Sequence, residues 1–257
     1  MKKTYHMITG LPRSGSTLLS SILKQNPKFH ASITDPLATL VKGVVETSQE
    51  GPGMKSEVPV ERRKNLVYSL FDGFYKNIEN PVIFNTNRAW TYLTPLIKEL
   101  FPNSKMILCV RDIKWIIDSF EQAHRRNPLS TNTFSGGLSG SVYTRADSLM
   151  EDGGIIGFPY IGLKQAITSD EKNMIMIIEY DQLCKNPEGI MKAVYNFIGE
   201  EYYEHNFNDV EAAWDEYDFE IGVKLHDVRK KVEYKQRNTI LPPDLISKYS
   251  NMEVWRM

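Results

Sequence analysis

Runs of apolar residues and helical apolar stripes alternate along this chain. Tyr5 to Thr9 predicts a short strand, and Gly10 to Gly15 a loop. Over Ser16 to Gln25, Leu18, Leu19, Ile22 and Leu23 recur at helical spacing. A second helix is predicted over Leu37 to Thr47. Gln49 to Val60, with Gly51-Pro52-Gly53 and Pro59, reads as a loop, and Arg62 to Ile78 as a helix with Leu66, Leu70, Phe71 and Phe74 on its apolar face. Pro81 to Phe84 and Lys105 to Val110 are short, almost wholly apolar runs, the signature of strands buried on both faces. Tyr92 to Leu100 and Ile113 to Arg126 predict the helices after them. Asn127 to Pro159, rich in glycine, predicts a long mobile loop with some helix near Thr144 to Met150. Met174 to Ile178 is a further strand and Glu188 to Ile198 a further helix, and from about Glu200 the chain is polar and aromatic with few clear elements. Strands alternating with helices predict an α/β fold with a parallel sheet and helices on both faces.

Composition narrows the options. The chain has 257 residues, enough for one large domain, with a core over about 4–200 and an irregular C-terminal segment 201–257. A net charge of −1 gives no case for a general nucleic-acid or membrane-surface binder. No run of about 18 apolar residues predicts a membrane span. The apolar run near the N-terminus breaks at Gly10 and Pro12, so no signal peptide is expected. Two cysteines, Cys109 and Cys184, offer neither a disulfide framework nor a zinc cluster and suit a reducing, cytoplasmic compartment.

The first chemical signal is Gly10-Leu11-Pro12-Arg13-Ser14-Gly15-Ser16-Thr17, between a strand and a helix. Backbone N–H groups at a helix N-terminus face an anion there, helped by the helix dipole. The frame is that of a phosphate-binding P-loop with one departure. Ser16 stands where a nucleoside triphosphatase has its lysine, and the cation is Arg13, inside the loop. Arginine offers a planar fork of donors suited to oxyanions. A chance glycine turn before a helix is the competing reading.

The second signal is a buried strand ending in Arg111, with Ser119 eight residues further along the next helix. Ligands of open α/β sheets lie beyond the carboxyl ends of strands, so an arginine and a hydroxyl there can grip one phosphate. The plainer reading pairs Arg111 with a surface carboxylate and leaves Ser119 in solvent.

Together these motifs resemble the PAPS-dependent sulfotransferase family, PAPS being 3'-phosphoadenosine 5'-phosphosulfate. Leu11 to Leu18 is similar to its 5'-phosphosulfate loop, and Val110-Arg111-Asp112 with Ser119-Phe120 to its 3'-phosphate motif. Ile177 to Leu183, Asn186-Pro187-Glu188 and Phe197-Ile198-Gly199 are similar to a structural segment of the family. The likeness covers roughly residues 5–200. The arginine in the loop and the following Asn26-Pro27 resemble the tyrosylprotein sulfotransferases and their bacterial relatives more than the phenol and steroid enzymes. The resemblance implies that Arg13, with Ser14, Gly15, Ser16 and Thr17, binds the 5'-phosphosulfate. It implies that Arg111 and Ser119 bind the 3'-phosphate, and that PAPS gives up its sulfuryl group to a hydroxyl, leaving PAP, without a required metal. The acceptor is a small-molecule or peptide hydroxyl; no motif encodes its identity or the oligomeric state.

Two departures from the family pattern stand out. Where family members often carry a lysine after the second strand, this chain reads Phe84-Asn85-Thr86-Asn87-Arg88-Ala89-Trp90. Arg88 either replaces that lysine or is an ordinary surface arginine. The nearest carboxylate to the family's base position is Asp35, about one position away; it is either the general base or the cap of the helix starting at Pro36. His30 and His124 are weaker candidates. In the C-terminal segment, Arg229 and Lys230 with Lys231 either close over the donor nucleotide or form a solvated face. Trp90 and Trp115 are packing residues, either of which could stack on adenine. The alternatives to a sulfotransferase are a P-loop nucleotide kinase or phosphotransferase, which Ser16 argues against, and a catalytically silent PAP-binding module.

Overall fold

The computed structural model describes residues 3–126, 140–210 and 228–256. Among them five parallel strands form one sheet in the order β2-β3-β1-β4-β5. The strands are β1 (Thr4–Gly10), β2 (Phe29–Ala31), β3 (Val82–Thr86), β4 (Met106–Val110) and β5 (Ile175–Glu179). Alternate residues of each strand serve opposite faces. Tyr5, Met7, Ile83, Met106, Leu108 and Val110 pack into one core, whereas Ile8, Val82, Phe84, Ile107, Cys109 and Ile178 pack into the other. Helices therefore cover both faces. α1 (Ser16–Leu23), α9 (Tyr180–Lys185) and α10 (Pro187–Ile198) lie over the second core. α2 (Leu37–Thr47), α4 (Val60–Phe74), α5 (Thr94–Leu100), α6 (Ile113–Arg126), α7 (Val142–Met150), α8 (Gly157–Ile167) and α11 (Pro243–Lys248) lie over the first.

This topology creates the crevice. From β1 the chain runs to β2 and β3 on one side, and from β4 to β5 on the other. The carboxyl ends of β1 and β4, paired as Thr9 with Leu108 and Gly10 with Cys109, thus form the point where the winding direction reverses. The loops beginning at Gly10 and Arg111 open there.

Several expectations are corrected. Gly51 to Glu57, read as loop, is helix α3. Gly51 enters at φ +71° and Pro52 occupies the first turn, where its missing N–H costs nothing, so residues that break a helix internally begin one here. The helix expected over Arg62 to Ile78 runs two residues earlier and ends at Phe74. In the expected long loop, 127–139 lie outside the described residues, but Val142 already begins α7 and Gly157 begins α8. Gly157 is there for close packing: a Cβ on it would sit 1.9 Å from the Glu151 carbonyl oxygen. Tyr92 belongs to a 3₁₀ turn, Arg88–Leu93, that precedes α5. The three-residue β2 and the helices α9 and α11 carry no periodic signal long enough to read. The C-terminal stretch is docked: Leu241, Leu245 and Tyr249 enter the larger core, and Arg256 pairs with Glu179 at the end of β5. Among the described residues, no helix is long and apolar enough to cross a membrane.

One core histidine makes stability depend on pH. His6 is 1% exposed, and its Nδ1 accepts the Lys105 N–H at 3.0 Å. Burial, then the Lys105 charge, lowers its pKa to about 4 from an ordinary 6.5. The unfolded chain therefore takes up this proton first, and the stability tied to neutral His6 is lost as pH falls from 6.5 towards 4. Going from pH 7 to pH 5 is expected to cost about 2 kcal/mol through His6 alone. Melting temperatures of the wild type and His6→Asn across this range check it: the variant's curve should fall less steeply, and equal slopes refute the assignment.

Candidate active site

The loop after β1 is held by the end of β4. The Leu11 N–H donates to the Cys109 carbonyl at 2.9 Å, and Ser14 Oγ donates to the same oxygen at 2.8 Å and to the Leu11 carbonyl. Gly15, at φ +92°, precedes the first residue of α1; a Cβ there would approach Tyr180 Cδ2 to 2.7 Å. Among the described residues no side chain caps α1 and no acidic residue lies in its first turn, so the amides around Ser16 and Thr17 keep the helix's positive end. Arg13 adopts φ +55°, a conformation that costs a non-glycine residue about 1–2 kcal/mol. That turn sends its side chain to α6, where Nε donates to Ser119 Oγ at 3.1 Å.

Arg111 closes the other side. Its Nη1 donates to the Arg13 carbonyl at 3.4 Å, and its guanidinium lies 4.3 Å from the centre of the Tyr180 ring, the ring that also packs on Gly15. Its Nε is buried without a hydrogen-bond partner among the described residues. Burial, followed by the positive charge of Arg237, pulls its pKa below the ordinary arginine value. Arg237 likewise has a buried Nε without such a partner; its guanidinium lies 5.2 Å from the Trp115 ring and 3.6 Å from Asp118. Cations with unused donors around a polar crevice are what an anion requires.

Arg13, Ser14, Gly15, Ser16, Thr17, Arg111 and Ser119 are thus brought together. Arg88 and Asp35 are both tied to the end of β1, Arg88 exposed and Asp35 buried. The Arg88 carbonyl accepts from Thr9 Oγ1 at 3.2 Å, and Asn87 ties β1 to Asp35 by donating its N–H to the Ile8 carbonyl and its Nδ2 to the Asp35 carbonyl. The Arg88 side chain is exposed. Asp35 is 4% exposed and does cap: its Oδ1 accepts the Leu37 N–H at 2.9 Å. Its Oδ2 accepts from the Tyr75 hydroxyl at 2.8 Å, the end of a buried chain from Trp90 through Asn85 to Tyr75. Trp90 is wholly buried in that chain and has no face for a nucleotide; Trp115 is half-buried under Arg237. Burial raises the Tyr180 pKa, and the charges of Arg111 and, more weakly, Arg229 oppose that shift. Lys230 points elsewhere, its side chain 82% exposed and 3.8 Å from Asp209.

Arg237 is the site residue that sequence reading misses. It stands alone between Gln236 and Asn238, while the denser Arg229-Lys230-Lys231 carries the visible charge. Only docking of the tail on α6 delivers it.

The fold is shared with several solved structures. A sulfotransferase domain from the Synechococcus PCC 7002 olefin synthase superposes with a TM-score of 0.55 at 16% identity, covering 96% of this chain and 94% of its own. A sulfotransferase domain from the curacin biosynthetic pathway gives 0.54 at 16% identity, with 83% and 79% covered. A sulfotransferase from Alicyclobacillus acidocaldarius gives 0.55 at 12% identity, with 86% and 92% covered. At such identities the likeness establishes the fold alone. No curated protein matches the sequence. The model of the sulfotransferase family, however, matches residues 7–204, which span the P-loop, Arg111 and Ser119, so this chain belongs to the sulfotransferase family.

Proposed function

We propose that this protein transfers a sulfuryl group from PAPS to a hydroxyl of a small molecule or peptide, giving PAP and a sulfate ester. The observation that carries the reading is the meeting of two anion grips at one crevice, joined by the 3.1 Å bond from Arg13 to Ser119. PAPS is a ligand with two separated anionic ends. The uncapped amides of α1, with Arg13, the Ser14 amide and the hydroxyls of Ser16 and Thr17, take the 5'-phosphosulfate, the Ser14 hydroxyl being engaged by the Leu11 and Cys109 carbonyls. Arg111 and Ser119 take the 3'-phosphate, with Arg237 beside them. Arg229 borders the nucleotide, and the exposed Lys230 belongs to the outer edge of that segment.

In the transfer, the acceptor oxygen forms its bond to sulfur as the bond from sulfur to the bridging oxygen of the 5'-phosphate breaks. Arg13 and the loop amides stabilise the charge on the departing oxygen, and the exposed Arg88 serves the equatorial sulfuryl oxygens. A sulfuryl group carries less charge than a phosphoryl group, so arginines and amides suffice without a metal. Asp35 accepts the hydroxyl proton through the lone pairs that Leu37 and Tyr75 leave unused. Both cysteines are free and buried, in keeping with a cytoplasmic protein.

Thermal unfolding with PAP, ADP and ATP plus magnesium at equal concentration tests the reading. PAP at about 100 times its dissociation constant adds roughly 2.7 kcal/mol, a rise on the order of 5–10 °C for a chain of this size. The rise should exceed that with ADP and survive EDTA. A magnesium-dependent rise with ATP that surpasses PAP points instead to a phosphotransferase. A PAP response with no sulfate ester formed on any hydroxyl acceptor identifies a silent binding module.

A further inference from the structure

Asp118 is a charge in the middle of α6 with no exposed surface. A buried carboxylate is costly unless its oxygens are satisfied. Gln122 on the same helix donates to Oδ2 at 2.6 Å. Every other partner among the described residues comes from about 120 residues further on: Thr239 Oγ1 and the Ile240 N–H each donate to Oδ1 at 2.8 Å, and Arg237 Nη2 lies 3.6 Å from Oδ2. Among the described residues, Asp118 therefore has its full set of partners only while segment 237–240 lies against α6. That segment presents Arg237, whose Nη2 also donates to the Trp115 carbonyl at 3.3 Å and whose charge bears on Arg111. Without Asp118, two like charges facing one crevice would push the segment away.

The geometry points to Asp118 as a positioning residue. It locks the C-terminal segment onto α6 so that Arg237 is held on the helix that carries Ser119 and joins Arg111 in gripping one phosphate, the 3'-phosphate of the donor. Asp118 itself touches no ligand, and its neighbour Ser119 is on the ligand side of the same helix turn. The inference rests on the donor reading above. It makes the 3'-phosphate preference of this protein depend on a carboxylate hidden beneath the site.

Calorimetric titration of the full chain with PAP and with ADP, which lacks the 3'-phosphate, tests it at fixed ionic strength. Asp118→Asn is expected to weaken PAP binding about 10- to 30-fold and ADP binding by less than about 2-fold. Arg237→Gln should do the same. In the double variant the Asp118 change should add less than about 2-fold to the Arg237 change, because both act through one guanidinium. Equal losses for PAP and ADP, or full additivity, overturn the inference and leave Asp118 as a plain structural anchor. Thr239→Val, which removes one bond from the segment's side, decides the matter if Asp118→Asn does not fold: it should lower the PAP preference about 3-fold, and an unchanged preference overturns the inference. A wild type that binds ADP as well as PAP overturns the donor reading itself, and this inference with it.

Discussion

Replacing Arg111 with glutamine is expected to weaken PAP binding by at least about 100-fold, a loss of roughly 2.7 kcal/mol or more, while the ligand-free protein melts at the same or a higher temperature. The two halves have one cause. Arg111 is held in a half-buried place where, among the described residues, its Nε has no partner, Arg237 brings a like charge, and its bond to the Arg13 carbonyl is long. In the free protein these features oppose folding; with a phosphate present, the same donors and charges become the grip. Arrangements that are unfavourable until the ligand arrives mark binding sites that trade stability for function. Titration calorimetry and thermal unfolding of the variant read both halves. A change in PAP affinity below about 3-fold removes Arg111 from the donor site. A fall in melting temperature instead assigns it to the fold, where its packing on Tyr180 would be what matters.

Gly10→Ala is expected to destabilise the chain by about 3–5 kcal/mol and to abolish donor binding. The methyl group would lie 2.2 Å from the Cys109 carbonyl oxygen and 2.7 Å from its nitrogen, on a residue already at φ +108°. Both obstructing atoms are backbone of a central strand, so no side-chain rotation relieves the clash. The same carbonyl holds Leu11 and Ser14 and so shapes the loop. Denaturant unfolding gives the cost directly. Gly43→Ala in α2 is the control: its Cβ would meet open space, and alanine there is expected to be neutral or stabilising by up to about 1 kcal/mol. Equal effects at the two positions would show that the close approach at Gly10 carries no special weight.

Much of the site was legible because it is built from local signals. A buried strand, a glycine loop and a helix within residues 4–23 set the geometry of that loop by local signals, whatever surrounds it. Arg111 and Ser119 were legible for a similar reason: a strand end and the next helix place them by local geometry alone. Asp35 was half legible. Its position before Pro36 announced the cap, which the bond to Leu37 bears out. Its bond to Tyr75, 40 residues away, had no signature in the sequence.

By itself, then, the sequence determined the alternation of strands and helices, the parallel sheet with two covered faces, and the glycine loop with its arginine between β1 and α1, since hydrophobic period and turn chemistry act over a few residues. Tertiary structure alone decided the rest. It turned Gly51-Pro52-Gly53 and Gly154 to Gly157 from apparent loop into helix starts and close packing, because a glycine's role depends on what approaches it. It also folded a polar tail back onto α6, where the tail supplies all but one of the partners of Asp118 among the described residues and sets Arg237 on the helix that carries Ser119, more than a hundred residues away. Contacts made at that range depend on buried charge and complementary surface, and neither leaves a period in the sequence.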